Sequence, residues 1–318
     1  MFFMGLLLML LLASAGLAQQ PEQTPTFRTG TAWVRIDAEV EERGHPLADL
    51  RQEDFVIYDE GQPQKILYFG RESEPLDVVL LLDVSGSMRR HIEQMATSAR
   101  NALRELHDGD RVAVIEFSRH SRIGEELTTD RQKVIDQLHQ AVREQDLGGG
   151  TRTNAAIVSA AAYIGRDAAA AEAKSGPRPG RRAILVVTDN SSMDYQMPDE
   201  KAIAALFAAD TVLNAIVVGE GKPVKPPRPG EYVNPDFSPS DVVHIAAETG
   251  GEAVRAERAG ASFRDMLESM RTRYSIQYAA PETAVPGTLR HLRVELAPAA
   301  RARHPRASVR ARGAYLVK

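Results

Sequence analysis

The 318-residue sequence contains no cysteine, which excludes disulfides, thiolate metal ligands, a nucleophilic thiol and a lipid-acylated cysteine. It also lacks an excess of one charge. At −4 the chain has none of the strongly basic field expected of a general nucleic-acid binder. Past the first eighteen residues no apolar run is long enough to cross a membrane. The eight histidines, at 45, 91, 107, 120, 139, 244, 291 and 304, are scattered and form no H-E-x-x-H string. A G-x-S-x-G elbow is missing, and the glycine-rich Gly148-Gly149-Gly150-Thr151-Arg152-Thr153 has no P-loop lysine. The usual routes to hydrolytic or phosphoryl-transfer chemistry are therefore absent from the sequence.

What is present divides the chain clearly. Residues 1–18 read as a secretory signal: Phe2 to Leu12 is almost unbroken apolar sequence, and Ala13-Ser14-Ala15-Gly16-Leu17-Ala18 supplies the small residues of a cleavage site. Met1 to Met4 carry no Lys or Arg, unlike an ordinary signal, and an uncleaved N-terminal anchor is the alternative. The apolar run is shorter than the roughly 20 residues that span a bilayer, which favours cleavage and a periplasmic or extracellular protein. A cysteine-free exported chain then depends on its apolar core, 43% of residues being hydrophobic, and on any bound ion.

Residues 19–30 form a polar leader. Residues 31–74 alternate apolar and polar in three strand-like runs, Thr31–Val40, Asp54–Tyr58 and Lys65–Phe69, which predict a small antiparallel β unit. From residue 75 to 275 continuous apolar strands (Asp77–Leu82, Arg111–Phe117, Ala183–Thr188, Val212–Val218) alternate with amphipathic helices at about 91–106, 131–145, 154–171, 199–209, 241–248 and 262–273. Ile123 to Leu127 reads as a short edge strand. This alternation predicts a Rossmann-like α/β domain, doubly wound around a mostly parallel sheet. Residues 276–318 return to strand-like alternation and are expected to pack with the N-terminal segment. Lys174–Arg182 and Gly221–Ser240 are rich in Pro and Gly and read as surface loops. The arginines at 290, 293, 301, 303, 306, 310 and 312 read as a solvated strand face, with no aromatic stacking platform nearby.

Three oxygen-bearing elements stand out. Asp83-Val84-Ser85-Gly86-Ser87 follows the first buried strand, Thr151 and Thr153 precede a helix, and Asp189 ends another buried strand. Each alone is explained by a turn or a helix cap. Together they are predicted at one sheet edge, and hard oxygen ligands suit Mg²⁺ first, with Ca²⁺ or Mn²⁺ as alternatives.

The strings DVSGSM, GGTRT and VVTD resemble the metal-ion-dependent adhesion site of von Willebrand factor A domains, over roughly residues 75–275. The resemblance implies that Ser85, Ser87 and Thr151 bind the ion directly or nearly so, while Asp83 and Asp189 often act through water. Asn190 stands where the family usually has glycine, and asparagine also tolerates left-handed backbone. The flanking sequences, VRIDAEVEERGHPLADLRQEDFVIYDEGQPQKI before and SFRDMLESMRTRYSIQYAAPE with VRARGAYLVK after, resemble exported von Willebrand A-related proteins described from Acidobacteria. That group implies no specific biochemical role. The implied function is metal-dependent binding of a protein partner that supplies an Asp or Glu to the ion. A shell of neutral hydroxyls with two carboxylates leaves the ion most of its charge. The alternatives are a metal-stabilised structural component of an envelope assembly and a metal-dependent hydrolase.

Overall fold

The computed structural model describes residues 33–71, 74–143, 147–175, 180–222, 237–257 and 259–317. The expected signal peptide and leader, residues 1–30, lie outside these. The first strand, β1 (Trp33–Glu42), buries Val34, Ile36, Ala38 and Val40 and leaves the intervening Arg35 and Asp37 partly open, as its alternation predicts. The second, β2 (Phe55–Asp59), turns back through Glu60 and Gly61, both at positive φ (47° and 77°), onto Gln62–Gln64. Two residues of this kind match the twist of a tight hairpin. The run expected at Lys65–Phe69 is displaced. Lys65 to Leu67 are not in a strand, and β3 (Tyr68–Arg71) belongs to a different sheet from β2.

The α/β region follows the expected alternation. Its strands are β4 (Leu76–Asp83), β5 (Arg111–Phe117), β6 (Ser121–Thr128), β7 (Arg181–Thr188), β8 (Val212–Val218) and β9 (Ala253–Ala256). Its helices are α1 (Arg89–Ala102), α2 (Arg131–Ala141), α3 (Thr153–Ser175), α4 (Asp199–Ala208), α5 (Val242–Glu248) and α6 (Ala259–Thr272). Strand β4 is buried on both faces because its apolar run is continuous. Val78, Leu80 and Leu82 join Ile92 and Met95 of α1 and Phe263 of α6. Val79 and Leu81 join Ile157 of α3, Leu206 of α4 and Ile245 of α5 on the other face. Burying each such side chain contributes about 1.5–3 kcal/mol, so this doubly covered strand anchors the domain.

The sheet order is β6-β5-β4-β7-β8-β9, parallel except for the antiparallel edge strand β6. The chain thus builds outward from β4 in one direction, then returns to β4 and builds outward in the other. In such sheets the ligand crevice lies beyond the carboxyl ends of the strands where the order reverses. Here that point is between β4 and β7.

Two elements have no counterpart in the sequence reading. Strand β9 has only four residues at the sheet edge, and Met193–Tyr195 pairs with Phe237–Pro239 in a two-stranded ribbon. Such short runs give no measurable period. The loop expected at Lys174–Arg182 is shorter than predicted: Lys174 and Ser175 end α3, while Arg181 and Arg182 begin β7 and are buried. Residues 176–179, and residues 223–236 of the second expected loop, lie outside the described residues.

Only Arg273 separates α6 from β10 (Tyr274–Ala279), which is followed by β11 (Leu289–Leu296), the short helix α7 (Pro298–Arg303), β12 (Ala307–Arg310) and β13 (Ala314–Leu316). These pair with the N-terminal strands. Strand β10 lies between β1 and β3, with Ile36 opposite Ile276, and β12 pairs with the far half of β1. Strand β11 joins β2 to β13 in a second antiparallel sheet. Ile36, Ile57, Tyr274, Ile276, Tyr278 and Tyr315 fill the space between them. Buried Asp59 accepts hydrogen bonds from the Tyr278 and Tyr315 hydroxyls, both at 2.9 Å, and from Arg290 at 2.8 Å. The strand-like alternation expected over residues 276–318 is interrupted by α7, which was not foreseen.

The reading of the arginine-rich tail is corrected in part. Arg293, Arg303 and Arg306 are exposed as expected. Arg312, however, is buried and pairs with Asp210 at 2.7 Å, while the partly buried Arg310 reaches Glu39 at 2.9 Å. These two belong to a polar layer at the amino edge of the central sheet. There Arg181 donates to the carbonyls of Met270, Arg271 and Arg273, and Arg273 pairs with Glu39 at 2.9 Å. Arg271 donates to the Glu74 carbonyl and lies 3.5 Å from Asp110. This layer ties the β unit to the α/β domain.

Candidate metal centre

Asp83 is the last residue of β4, and Val84 is fixed by donating to the Phe117 carbonyl at the end of β5. The chain then bends, so that the Ser85 amide donates back to Asp83 Oδ1 at 3.0 Å. Asp83 Oδ2 accepts from the Thr188 hydroxyl of β7 at 2.8 Å, across the point where the strand order reverses. Ser85 Oγ and Ser87 Oγ are 3.3 Å apart, and Ser87 Oγ donates to Asp189 Oδ2 at 2.8 Å. Four of the five residues singled out by sequence are therefore linked within one cluster, although Ser87 and Asp189 are 102 positions apart.

Thr151 joins through an intermediary. Its carbonyl accepts from Ser192 Oγ at 2.9 Å, and Ser192 lies on the loop that Asp189 begins. The same Ser192 hydroxyl accepts from the Thr153 amide at 3.0 Å. Upstream, Gly148 and Gly150 adopt φ of +84° and +90°, and the Gly148 carbonyl accepts from Ser118 Oγ at 2.8 Å. The Arg152 amide donates to the Ser118 carbonyl, so the glycine-rich loop is fastened to the end of β5. Glycine is needed where the chain passes through such left-handed turns.

Asn190 has φ of +57°, the left-handed conformation expected at this position. Its side chain does more than tolerate the turn. It donates to Asp241 Oδ1 at 3.0 Å and accepts from the Val242 amide at 3.0 Å, binding the Asp189 loop to the start of α5. Asp194, fully buried, accepts from the Asn154 and Ala155 amides and so receives the amino end of α3. Thr188, Ser192 and Ser118 were missed by sequence reasoning. Thr188 alone left a trace, as the polar residue ending an apolar strand beside Asp189.

Asp83 is one of the buried acids that no arginine pairs. Asp59, Asp110, Glu116 and Glu39 have Arg290, Arg271, Arg122 and Arg273, whereas Asp83, like Asp194 and Glu74, has no ion pair among the described residues. Asp83 is 0% exposed, and among the described residues only hydroxyl and amide donors reach it. Burial pushes its carboxyl up to about 6, against the lowering effect of its Ser85 and Thr188 hydrogen bonds, and the nearby Asp189 charge adds to the rise. A buried carboxylate of this kind is ordinarily paired or bound to a metal. Above it Ser85 is half-buried and Ser87 exposed, so the hydroxyl face is open to solvent. Among the described residues no group of three or more His, Asp or Glu side chains is placed to hold a metal. A cation at this edge would therefore depend on hydroxyls as much as on carboxylates. The donor set fits a hard divalent ion.

Residues 78–191 match the family described as von Willebrand factor type A domain. Among solved structures the fold is similar to the conserved hypothetical protein BatB from Bacteroides thetaiotaomicron, at 18% identity and a TM-score of 0.45, covering 61% of this chain and 97% of that one. It is also similar to a von Willebrand factor type A protein from Catenulispora acidiphila, at 15% identity, a TM-score of 0.44, and 92% and 74% coverage. A third is proximal thread matrix protein 1 from the mussel byssus, in a form with a zinc-occupied MIDAS motif, at 12% identity, a TM-score of 0.43, and 67% and 49% coverage. No curated protein matches the chain. The matched residues run from the middle of β4 to just beyond Asp189, and so include every residue of the hydroxyl and carboxylate cluster. Residues 78–191 thus carry the match to the von Willebrand factor type A domain.

Proposed function

We propose that the domain is a metal-dependent protein-binding module of an exported protein, with a divalent cation, Mg²⁺ first, held by Asp83, Ser85, Ser87, Thr151 and Asp189. The observation that carries this reading is the buried Asp83 carboxylate without a basic partner, directly beneath an open group of hydroxyls. Asp83 and Asp189 supply the negative charge, and the three hydroxyls supply neutral oxygens. The bound ion would contribute a concentrated positive charge with room for one further oxygen, which an Asp or Glu of a partner can fill. Thr188 orients Asp83, Ser192 orients the Thr151 loop, and Asn190 holds Asp189 in position.

The reading favours binding over catalysis. Among the described residues no general base stands beside the cluster with a partner to orient it, as metal-assisted hydrolysis would require. His91 is the nearest histidine by charge, feeling both Arg90 and Asp189, but burial and Arg90 lower its basicity. Export rests on the N-terminal apolar segment, and the narrower likeness to acidobacterial proteins rests on the flanking sequences. Calorimetric titration of metal-stripped protein with Mg²⁺, Ca²⁺ and Mn²⁺, with Asp189→Ala alongside, tests the centre. One saturable site lost in the variant is expected, and unchanged affinity in Asp189→Ala would remove Asp189 from the ligand set.

A further inference from the structure

The polar layer at the amino edge of the central sheet contains a cavity. It is lined by Asp37 of β1, Arg181 and Arg182 of β7, Asn214 of β8, Met270 of α6, and Arg273. Its volume open to the centre of a water molecule is about 10 Å³, the room of a single water. Arg181, Asn214 and Arg273 are 2%, 1% and 3% exposed, so bulk solvent does not satisfy them.

Four polar atoms of these lining side chains are buried without a hydrogen bond: Asp37 Oδ1, Arg181 Nε, Asn214 Nδ2 and Arg273 Nε. The rest of each nitrogen-bearing side chain is already committed. Arg181 directs its terminal nitrogens to the carbonyls of Met270, Arg271 and Arg273. Arg273 directs its own to the Gly250 carbonyl and to Glu39. Asn214 Oδ1 accepts from the Glu252 amide at 3.0 Å, which orients the side chain and leaves Nδ2 as its other end.

Asp37 explains why a gap exists. Glu39, two positions along and so on the same face of β1, reaches Arg273 and Arg310, each at 2.9 Å. Asp37 is one methylene shorter, and its Oδ1 meets no donor. Burial raises the Asp37 carboxyl against the lowering effect of Arg181, Arg35 and Arg273, and Asp210 adds to the rise.

We infer that this cavity is a binding site for one ordered water, which donates to Asp37 Oδ1 and accepts from two of the N–H groups of Arg181, Asn214 and Arg273. A buried water typically makes about three such bonds. A small anion would suit the arginines, but it would lie against the Asp37 carboxylate in a space no larger than a water. A dry cavity would leave all four atoms unpaired, and buried polar groups without partners are strongly disfavoured. The water joins β1 to β7 and β8, at the end of β7 opposite Asp189. The site does not depend on the metal centre.

The test is a high-resolution crystal structure of the full chain, a bromide soak of the same crystals, and two neutral variants at Asp37. An oxygen peak within hydrogen-bond distance of Asp37 Oδ1 and two of the N–H groups is expected, with no anomalous bromide signal there. Asp37→Asn and Asp37→Leu lose the same charge, so comparing them cancels the electrostatic effect. Asparagine keeps an acceptor for the water, and leucine does not. In urea unfolding, Asp37→Leu should show an unfolding equilibrium constant about tenfold above that of Asp37→Asn. A dry cavity predicts the reverse, because leucine then fills space where an amide would have no partner. A cavity without density, in a map that shows other buried waters, would overturn the inference. So would a bromide peak in the cavity, or an Asp37→Leu protein at least as stable as Asp37→Asn. Should Asp37→Leu fail to fold, the wild-type map and the bromide soak decide the question alone.

Discussion

The two edges of the central sheet treat charge in opposite ways. At the amino edge, buried arginines pair with acids and carbonyls: Arg273 with Glu39 and the Gly250 carbonyl, Arg181 with three carbonyls, Arg312 with Asp210. At the carboxyl edge the buried Asp83 carboxylate lacks a basic partner among the described residues, and the Ser87 hydroxyl faces solvent. Polar groups at the first edge hold two sheets and a domain together. Those at the second, on the proposed reading, are left for a ligand from outside. On that reading stability and recognition fall to opposite ends of the same strands.

The comparison breaks first if the amino edge is not structural. Arg273→Ala with Arg310→Ala leaves Glu39 buried without either arginine partner and should cost about 3–5 kcal/mol in urea unfolding, with Mg²⁺ affinity retained in the folded fraction. At the opposite edge, Ser85→Ala with Ser87→Ala should lower Mg²⁺ affinity by about 100-fold or more, equivalent to about 2.7 kcal/mol. Its metal-free stability should change by less than about 1 kcal/mol, because both side chains are at the surface. A pair of variants with their effects exchanged would end the division of labour. Saturating Mg²⁺ at about 100 times its dissociation constant should add about 2.7 kcal/mol to stability, all of it absent in Asp83→Asn. A metal-free protein that fails to fold would instead favour the structural role for the ion.

Acid sharpens the contrast. The folded Asp83 carboxyl, at about 6, lies above its ordinary 3.8, so the fold prefers the protonated form. Its contribution to metal-free stability is therefore complete below about pH 4 and lost as pH rises through about 6. Mg²⁺ binding has the reverse dependence, because the ion needs the ionised carboxylate, and its affinity should fall as pH drops below about 6. Asp83→Asn should remove the stability slope over this window in urea titrations at successive pH values. The smallest effect is expected at the exposed Arg89–Glu93 pair, 3.7 Å apart, where Arg89→Ala should change stability by under about 0.5 kcal/mol.

The legible parts of this molecule were those with long or redundant signals. The continuous apolar run of β4 and the alternation of β1 set sheet type and burial directly. Arg111–Phe117 and Val212–Val218 have the same limits in sequence and structure. Asp83, Ser85, Ser87 and Asp189 could be read because each sits at a strand end or turn whose position followed from the strands. Thr151 was found in the same way, yet its link to the others runs through Ser192, and nothing local to Ser192 announces that contact. Arg310 and Arg312 were misread because strand alternation says which residues share a face, not whether that face meets solvent or another domain. The acids that cover Arg312 and Arg310, Asp210 and Glu39, come from distant segments. The hairpin after β2 was displaced because Pro63 and Gly61 marked a turn without fixing which strand returned from it.

The pairing of β1 with β10 has a consequence in time. Ile36 meets Ile276, 240 positions further along the chain, so β1 and β2 must wait with open edges while the central sheet assembles. Contacts this far apart in sequence are slow to form, and unpaired strands are prone to the wrong neighbour in the meantime. The last stretch of chain, β11 to β13, therefore acts as a latch that closes a sheet begun at the other end. A polypeptide stopped at residue 275 would hold the complete hydroxyl and carboxylate cluster and still present two unsatisfied strand edges to whatever lies nearby.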